Sequence, residues 1–399
     1  MNPQPLQYIG DELCFQGRKT PISQLIGNYH RPIYLYDLAV IQKRLNEFRA
    51  ALPPVRIHYA MKANAFPKLL KFFKDQKVHV DVVSAGEIKR ALESGFEPSD
   101  VIFSGVGKTK TEIRYALEHN IYQLNVESLP ELERVGKIAK QLGKKAPVSL
   151  RLNPNIDIGT HPYIATGLLE NKFGLDLSMI PEAMLALHQY KDSIELVGIS
   201  FHLGSQMTEP SMMRKAFHDL KPVYDELKNN FVSLRRLDFG GGLGIHYKEN
   251  QGSEEEILKT YADIVTEESK IFGAELQCEP GRWLVAHAGV YVTEVQYIKK
   301  TPHKNFLILD GGMNHLIRPS LYGAYHQIYP LTLKQNRPLM TFDIVGPICE
   351  SSDFLGKDRE FQEMQSGELI AIADAGAYGA VMASTYNLHE LPLEMALDI

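Results

Sequence analysis

Cysteine is scarce in this chain: three residues, Cys14, Cys278 and Cys349, among 399. An odd, widely spaced set without a CxxC pair supports neither a disulfide framework nor a zinc site, so no metal is expected and each thiol is expected to be free, by default as a small core residue. Tryptophan occurs once, at Trp283. No stretch approaches the roughly 18 consecutive apolar residues that a membrane span needs. The N-terminus, MNPQPLQYIGDELCF, lacks a basic segment followed by an apolar run, so no signal peptide is expected and a cytoplasmic location is. Positive charge is not in excess either. With 43 Lys and Arg against 48 Asp and Glu, the net charge is −5, which argues against non-specific nucleic-acid binding and gives no reason to expect an anionic membrane as partner. Internal repeats, low-complexity tracts and long linkers are also missing.

Apolar residues make up 44% of the chain and charged residues 23%, enough for a sizeable core. From residue 55 to residue 280 one pattern recurs: a short β-branched run, a polar or glycine-rich corner, then a helical stretch with apolar residues at three- and four-residue spacing. The runs lie at 55–61, 78–83, 101–104, 122–126, 147–152, 196–202, 234–239 and 274–279. Near-continuous apolar strands alternating with helices imply a parallel sheet covered on both faces, and eight such units fit a closed (β/α)8 barrel, with a doubly wound open sheet as the alternative. Beyond residue 285 the runs 290–297, 306–309, 340–345 and 368–373 are separated by Gly- and Pro-rich turns and no long helical pattern. They predict a mostly antiparallel β domain. The expected division is an N-terminal segment 1–34 contributing to the β domain, a barrel over 35–285 and a C-terminal β domain over 286–399.

Barrel enzymes build their sites at the C-terminal ends of the strands. Those ends here carry Lys62, Asp81 with Ser84, Ser104–Gly105, Asn125–Glu127, Arg151–Asn153, His202, Gly240–Gly242 and Glu279–Arg282. Each also has an ordinary reading, as a polar group meeting solvent or capping the next helix. Lys62, in YAMKAN, fits a snorkelling surface lysine; at a barrel mouth it also fits a desolvated amine that attacks a carbonyl. The cluster GGGLG at 240–244 is a weak motif by itself, but loops after the seventh and eighth barrel strands often bind phosphate through close backbone N–H groups. Glu279 and Arg282 in EPGR read either as a structural ion pair or as a buried carboxylate beside a fork for phosphate or carboxylate. Ser205 and Gly204, beside His202, offer a further phosphate contact. Lysine, carboxylate, arginine and a glycine cradle on one rim describe a pyridoxal-phosphate site, where the carboxylate keeps the pyridine nitrogen protonated so that the ring accepts electrons.

Nine segments in series carry a resemblance over nearly the whole chain: YAMKAN (59–64), DVVSAGE (81–87), NPNIDIGTHPYIATGLLENKFGL (153–175), FHLGSQ (201–206), DFGGGLGI (238–245), CEPGR (278–282), DGGMNHLIRPSLYGAYH (310–326), CESSDFLGKDR (349–359) and DAGAYG (374–379). With them the chain resembles the fold-type III pyridoxal-phosphate decarboxylases, and within these the branch acting on diaminopimelate. The resemblance implies a (β/α)8 barrel with a C-terminal β domain and a homodimer with active sites at the subunit interface. It implies decarboxylation of meso-diaminopimelate to L-lysine, the last step of lysine biosynthesis. By it, Lys62 forms a Schiff base with pyridoxal 5'-phosphate, Asp81 belongs to the cofactor site, His202 stacks on the ring and Glu279 pairs with its nitrogen. Ser205, Gly240, Gly241, Gly242 and the backbone of Glu279, Pro280, Gly281 and Arg282 hold the phosphate, and Tyr378 borders cofactor and substrate. Arg282, Arg318 and Tyr322 are similar in position to substrate-carboxylate ligands. Cys349, as proton donor, and Glu350, facing the distal amine, come from the partner subunit.

The chemistry accounts for these assignments. After CO2 leaves, an acid must return a proton to Cα, and a thiol with a pKa of about 8.5 does so at neutral pH if the site keeps it protonated. Gripping the far carboxylate of the substrate calls for a bidentate cation, supplied by Arg318 with Tyr322 in IRPSLYG, although a surface arginine of the β domain fits IRP alone. Such polar groups left unpaired cost about 1–3 kcal/mol each, which disfavours ornithine or a polyamine precursor. Ornithine, arginine and carboxynorspermidine decarboxylases and alanine racemase share the fold and stand as alternatives, as does a non-catalytic single-barrel cofactor-binding protein resembling only the first 280 residues. Three positions depart from the pattern of the resemblance: His315 after MN, Trp283 after EPGR and Ser352 in CESSD.

Overall fold

The computed structural model describes residues 5–157, 171–248 and 251–399; the middle of segment 153–175 lies outside the described residues. The chain divides into two compact units. One is Asn46–Ile245 with Glu254–Gly281; the other is Met1–Leu45, His246–Ser253 and Arg282–Ile399.

Strands β1 (Leu6–Ile9) and β2 (Glu12–Phe15) form an antiparallel hairpin, and β3 (Ile33–Asp37) follows. Next come β4 (Arg56–Ala60), β5 (His79–Val82), β6 (Val101–Phe103), β7 (Gln123–Val126) and β8 (Ala146–Asn153). After the two-residue β9 (Leu175–Asp176), which pairs with β8, come β10 (Ile194–Ser200), β11 (Arg236–Asp238) and β12 (Glu275–Cys278). Neighbours run β10-β11-β12-β4-β5-β6-β7-β8, all parallel, and β8 pairs back onto β10. The ladder is therefore a closed eight-stranded barrel and not an open doubly wound sheet, and all eight expected runs are its strands.

Period-two alternation sends successive side chains to opposite faces. On β7, Leu124 and Val126 are buried on the helix-covered side, whereas Gln123 and Asn125 point into the lumen. The lumen direction follows from their bonds: Arg236 on β11 donates to Gln123 Oε1 at 3.2 Å and Asn125 Nδ2 donates to Glu279 Oε1 at 3.2 Å, between strands that are not neighbours in the ladder. Helices such as Pro67–Asp75 and Leu129–Leu142 bury Leu69, Leu70, Phe72 and Phe73, and Leu132, Val135, Ile138 and Ala139. The helices Ala85–Glu93, Lys110–Glu118 and Leu129–Leu142 start at side-chain caps: Ser84, Thr109 and Ser128 each accept from the backbone N–H three residues on. Ser84, which sequence placed among the rim polar groups, is thus the cap of the helix Ala85–Glu93.

The other unit is built on β13 (Gly289–Lys300), which pairs with β3, β14 (Asn305–Leu309) and a later strand. Then follow β15 (Ile328–Pro330), β16 (Leu339–Val345), β17 (Phe354–Gln362), β18 (Leu369–Ile372) and β19 (Leu393–Leu397). Pairing is antiparallel except β14 with β16 and β19 with β3, and β18 is the other neighbour of β13. Leu13, Phe15, Leu35, Val290, Val292 and Ala371 share its core, which therefore includes side chains of the N-terminal segment. The departure at His315 has a structural role here. Its Nε2 donates to the Glu390 carbonyl at 2.8 Å, so the neutral ring accepts from Tyr291 Oη at Nδ1, at 3.0 Å. Trp283 is buried with the Arg44 guanidinium 3.6 Å from its ring centroid. The Ser352 carbonyl accepts from Ser320 Oγ at 2.5 Å. No helix among the described residues is long and apolar enough to cross a membrane.

One buried ion pair ties adjacent rim loops of the barrel. Lys108 Nζ donates to the carbonyls of Gly105 and Asn125, both at 2.6 Å, and to Glu131 Oε1 at 2.7 Å, while Glu131 Oε2 accepts from Glu127 N–H at 2.8 Å. Lys108→Met leaves a buried carboxylate unpaired and is expected to destabilise the protein by about 3–5 kcal/mol in denaturant unfolding. A loss below about 1 kcal/mol would show that the pair is solvated.

Candidate active site

Lys62 sits on a single 3-10 turn, Met61–Ala63, that terminates β4. The turn is held from both sides: Tyr59 Oη donates to the Asn64 carbonyl at 2.9 Å, Asn64 Oδ1 accepts from Phe66 N–H at 3.0 Å, and Ala60 N–H donates to the Pro280 carbonyl at 3.1 Å. Lys62 Nζ lies 3.3 Å from Oδ2 of the buried Asp81, at the end of β5. The lysine, its carboxylate neighbour and the EPGR turn are thus brought together on one rim.

Three carboxylates share this rim, Asp81, Asp238 and Glu279, and their charges interact. Desolvation, then the charges of Asp81 and Asp238, push Glu279 well above the ordinary carboxylate range, against the pull of Lys62 and Arg151. Desolvation raises Asp238 to about 7, although it accepts from Gly240 N–H at 2.8 Å. The donors around these carboxylates, Gly240 N–H on Asp238 and Asn125 Nδ2 on Glu279, do not offset their burial, so both favour the protonated form. Arg151, which sequence placed at a strand end without a role, is fixed by Glu127: its NH1 donates to Glu127 Oε1 at 3.0 Å. Glu127 also accepts from the backbone N–H of Gly105 and Gly174, at 3.0 and 3.2 Å. His202 is held well below the usual imidazole range by desolvation, then by Arg151 and Lys62. Its Nδ1 accepts from Gly241 N–H at 3.2 Å, so the ring is the neutral Nε2–H tautomer.

The glycine cluster is a steric requirement. A Cβ at Gly241 would lie 2.1 Å from the Glu279 carbonyl oxygen, and one at Gly242 2.1 Å from that of Gly204. Gly240 and Gly242 adopt φ of +69° and +101°. Gly281 packs against the lysine turn, where a Cβ would meet those of Ala63 and Ala60 at 3.0 and 3.2 Å. Ser205 is half-buried in the loop after β10. An amine on a fixed turn, a carboxylate with a raised affinity for a proton and a backbone cradle with no room for side chains fit pyridoxal phosphate.

Arg282 belongs to the other compact unit, so the run Glu279–Arg282 is divided after Gly281. Glu279 accepts from Asn125, while Arg282 NH1 donates to Tyr247 Oη at 2.6 Å and its guanidinium carbon lies 4.8 Å from the Tyr378 ring centroid. Arg318 is buried in this same unit, 4.6 Å over the Tyr247 ring, and donates to His326 Nε2 at 2.8 Å. Tyr322 is four residues on, at the end of the short helix Arg318–Tyr322, and contributes to the field around Arg282. Of the expected substrate residues, the structure thus gathers Arg282, Arg318 and Tyr378. Tyr247 and His326 were missed: a tyrosine and a histidine in loops give no local signal, and only the fold brings them to the arginines. Cys349 and Glu350 lie exposed in the loop before β17; Cys349 N–H donates to Asn387 Oδ1 at 3.5 Å and Glu350 Oε1 accepts from Tyr386 Oη at 2.7 Å.

Residues 38–286 match the family described as pyridoxal-dependent decarboxylase, pyridoxal binding domain. The chain is 42% identical over 383 residues to the diaminopimelate decarboxylase of Vibrio cholerae, covering 95% of this chain and 90% of that one. The structure of diaminopimelate decarboxylase from Helicobacter pylori complexed with L-lysine is similar at a TM-score of 0.87 and 40% identity, covering 94% of this chain and 93% of that one. The enzyme from M. jannaschii in complex with L-lysine gives a TM-score of 0.90 at 32% identity, over 100% of this chain and 94% of that one.

A raised carboxylate pKa in the fold has a thermodynamic consequence. The folded protein binds a proton at Asp238 that the unfolded chain, at about 3.9, has already released. Stability from this group is therefore full at acid pH and lost as pH rises through about 7. The cofactor-free protein is expected to melt at lower temperature at pH 8 than at pH 5.5, and Asp238→Asn should flatten that dependence. An unchanged slope in the variant would contradict the assignment.

Proposed function

Because the chain belongs to the pyridoxal-dependent decarboxylase family, among the diaminopimelate decarboxylases, we propose that it removes CO2 from the D-centre of meso-diaminopimelate and releases L-lysine, the last step of lysine biosynthesis. Its cofactor is pyridoxal 5'-phosphate. The observation that carries the substrate reading is Arg318: a buried guanidinium whose partners among the described residues are the neutral His326 and Tyr247. A cation kept dry without a carboxylate is a receptor awaiting one, and a substrate with a second carboxylate supplies it. A substrate ending in an ammonium or guanidinium, such as ornithine or arginine, would meet like charge there.

In this reading the barrel, residues 35–285, holds the cofactor, and the β domain, 286–399 with 1–34, reads the substrate. Lys62 holds the cofactor's aldehyde and Asp81 orients its amine. Glu279 faces the ring nitrogen, and its raised affinity for a proton suits a shared N–H hydrogen bond. Neutral His202 lies along the ring. Ser205, Gly240, Gly241, Gly242 and the backbone of Glu279, Pro280, Gly281 and Arg282 receive the phosphate. Bound pyridoxal phosphate supplies the sink for the electron pair left at Cα when CO2 departs. Arg282, Arg318 and Tyr322 grip the far carboxylate, and Tyr378 lines the pocket. The enzyme acts as a homodimer: Cys349 of the partner subunit returns a proton from Sγ to Cα, and Glu350 of the partner subunit meets the distal ammonium. The exposure of Cys349 in a single chain supports this placement.

Holoenzyme offered meso-diaminopimelate, ornithine, arginine and carboxynorspermidine is expected to release CO2 from the first alone, with L-lysine as product; no turnover of diaminopimelate would refute the substrate assignment. Borohydride should lock a pyridoxyl group onto Lys62, and Lys62→Ala should abolish turnover. Cys349→Ala should lower kcat by about 10²–10⁴-fold while the cofactor stays bound.

A further inference from the structure

We propose that His326 is a positioning residue for substrate recognition: a neutral hydrogen-bond acceptor that aims the Arg318 guanidinium without quenching its charge. This rests on the reading of Arg318 as the ligand of the far carboxylate.

The tautomer follows from the partners. A guanidinium only donates, so His326 Nε2, 2.8 Å from Arg318 NH1, accepts. A carbonyl only accepts, so Nδ1, 2.8 Å from the Ala373 oxygen, carries the proton and donates. The imidazole is fully buried, and burial, then the charge of Arg318, holds it well below the usual histidine range, so the ring stays neutral. Its backbone is equally fixed. Ala373 N–H donates to the Gln327 carbonyl at 2.9 Å, Ile328 stands in register with Ile372 across β15 and β18, and Arg359 NH2 donates to the His326 carbonyl at 3.1 Å. The orientation of the guanidinium is therefore passed from the sheet through one carbonyl and one imidazole.

The choice of residue type has a chemical reason. A carboxylate at position 326 would bind Arg318 more tightly, but it would neutralise the guanidinium and compete with the substrate's own carboxylate. An aliphatic side chain would leave a buried N–H without an acceptor and the long arginine free to rotate. Neutral imidazole avoids both.

The test is steady-state kinetics of the holoenzyme carrying His326→Leu or His326→Gln, with meso-diaminopimelate as substrate and two competitive inhibitors: L-lysine, which has the far carboxylate, and 1,5-diaminopentane, which lacks it. In His326→Leu, the KM for diaminopimelate and the inhibition constant of L-lysine should both rise by about tenfold or more, as expected for losing one charge-assisted hydrogen bond. Under the same conditions kcat should stay within about threefold and inhibition by 1,5-diaminopentane should not change. His326→Gln, which keeps a neutral acceptor, should recover most of the loss. The proposal is overturned if His326→Leu leaves L-lysine inhibition unchanged, if all three constants shift alike, or if glutamine is no better than leucine. Arg318→Gln separates the two levels. If that variant binds L-lysine as the parent does, the carboxylate reading itself fails; if it weakens L-lysine binding while His326→Leu does not, only the role of His326 fails.

Discussion

Pairing of β8 back onto β10 closes the ladder, and the chemistry of the barrel follows from that closure. With no free edge, eight strand ends are forced onto one ring, and side chains far apart in sequence meet across a narrow lumen. Asn125 and Glu279 touch although 154 residues separate them. Burial raises the proton affinity of Glu279 and Asp238, and the charges of Lys62 and Arg151 work against that rise at Glu279. Asp81, Asp238 and Glu279 would repel one another to little purpose in water. At this rim burial, then the charges of Asp81 and Asp238, raise the affinity of Glu279 for a proton.

The second unit solves the opposite electrostatic problem. Arg318 is withdrawn from water and satisfied by a phenol face and an imidazole nitrogen rather than by acid. Arg282 donates to the same Tyr247 and lies over the ring of Tyr378. Neutral partners satisfy geometry without cancelling the charge, unlike the carboxylate in the buried ion pair Lys108–Glu131. The barrel thus concentrates negative charge around one lysine, and the β unit concentrates positive charge around one tyrosine.

Much of this architecture is legible in the residues alone. Most of the barrel runs are rich in β-branched and aliphatic residues and end in polar corners, so parallel strands and their rim groups emerge from local pattern. Among the strands not named from sequence, β17 carries GKDRE in its middle, β15 has three residues, and β19 pairs with β3 from the far end of the chain. The site was legible where a motif carries backbone constraints, as in GGGLG, and opaque where side chains meet through long-range contact. Ser84, a rim polar group whose ordinary reading is a helix cap, is a helix cap. Arg151, Tyr247 and His326 show their importance only once their partners are known, because hydrogen bonding across a lumen or between loops leaves no periodic trace.

The glycine loop after β11 has its shape dictated by carbonyl oxygens of Glu279 and Gly204 standing where side chains would begin. Such a loop is nearly closed to sequence drift, since almost any mutation there collides with main chain that cannot be swapped. Tyr247, Arg282, Arg318 and His326, by contrast, belong to a separate compact unit. Side chains there can change without pressing on the glycine loop's main chain, so the two parts of the fold are free to drift at different rates.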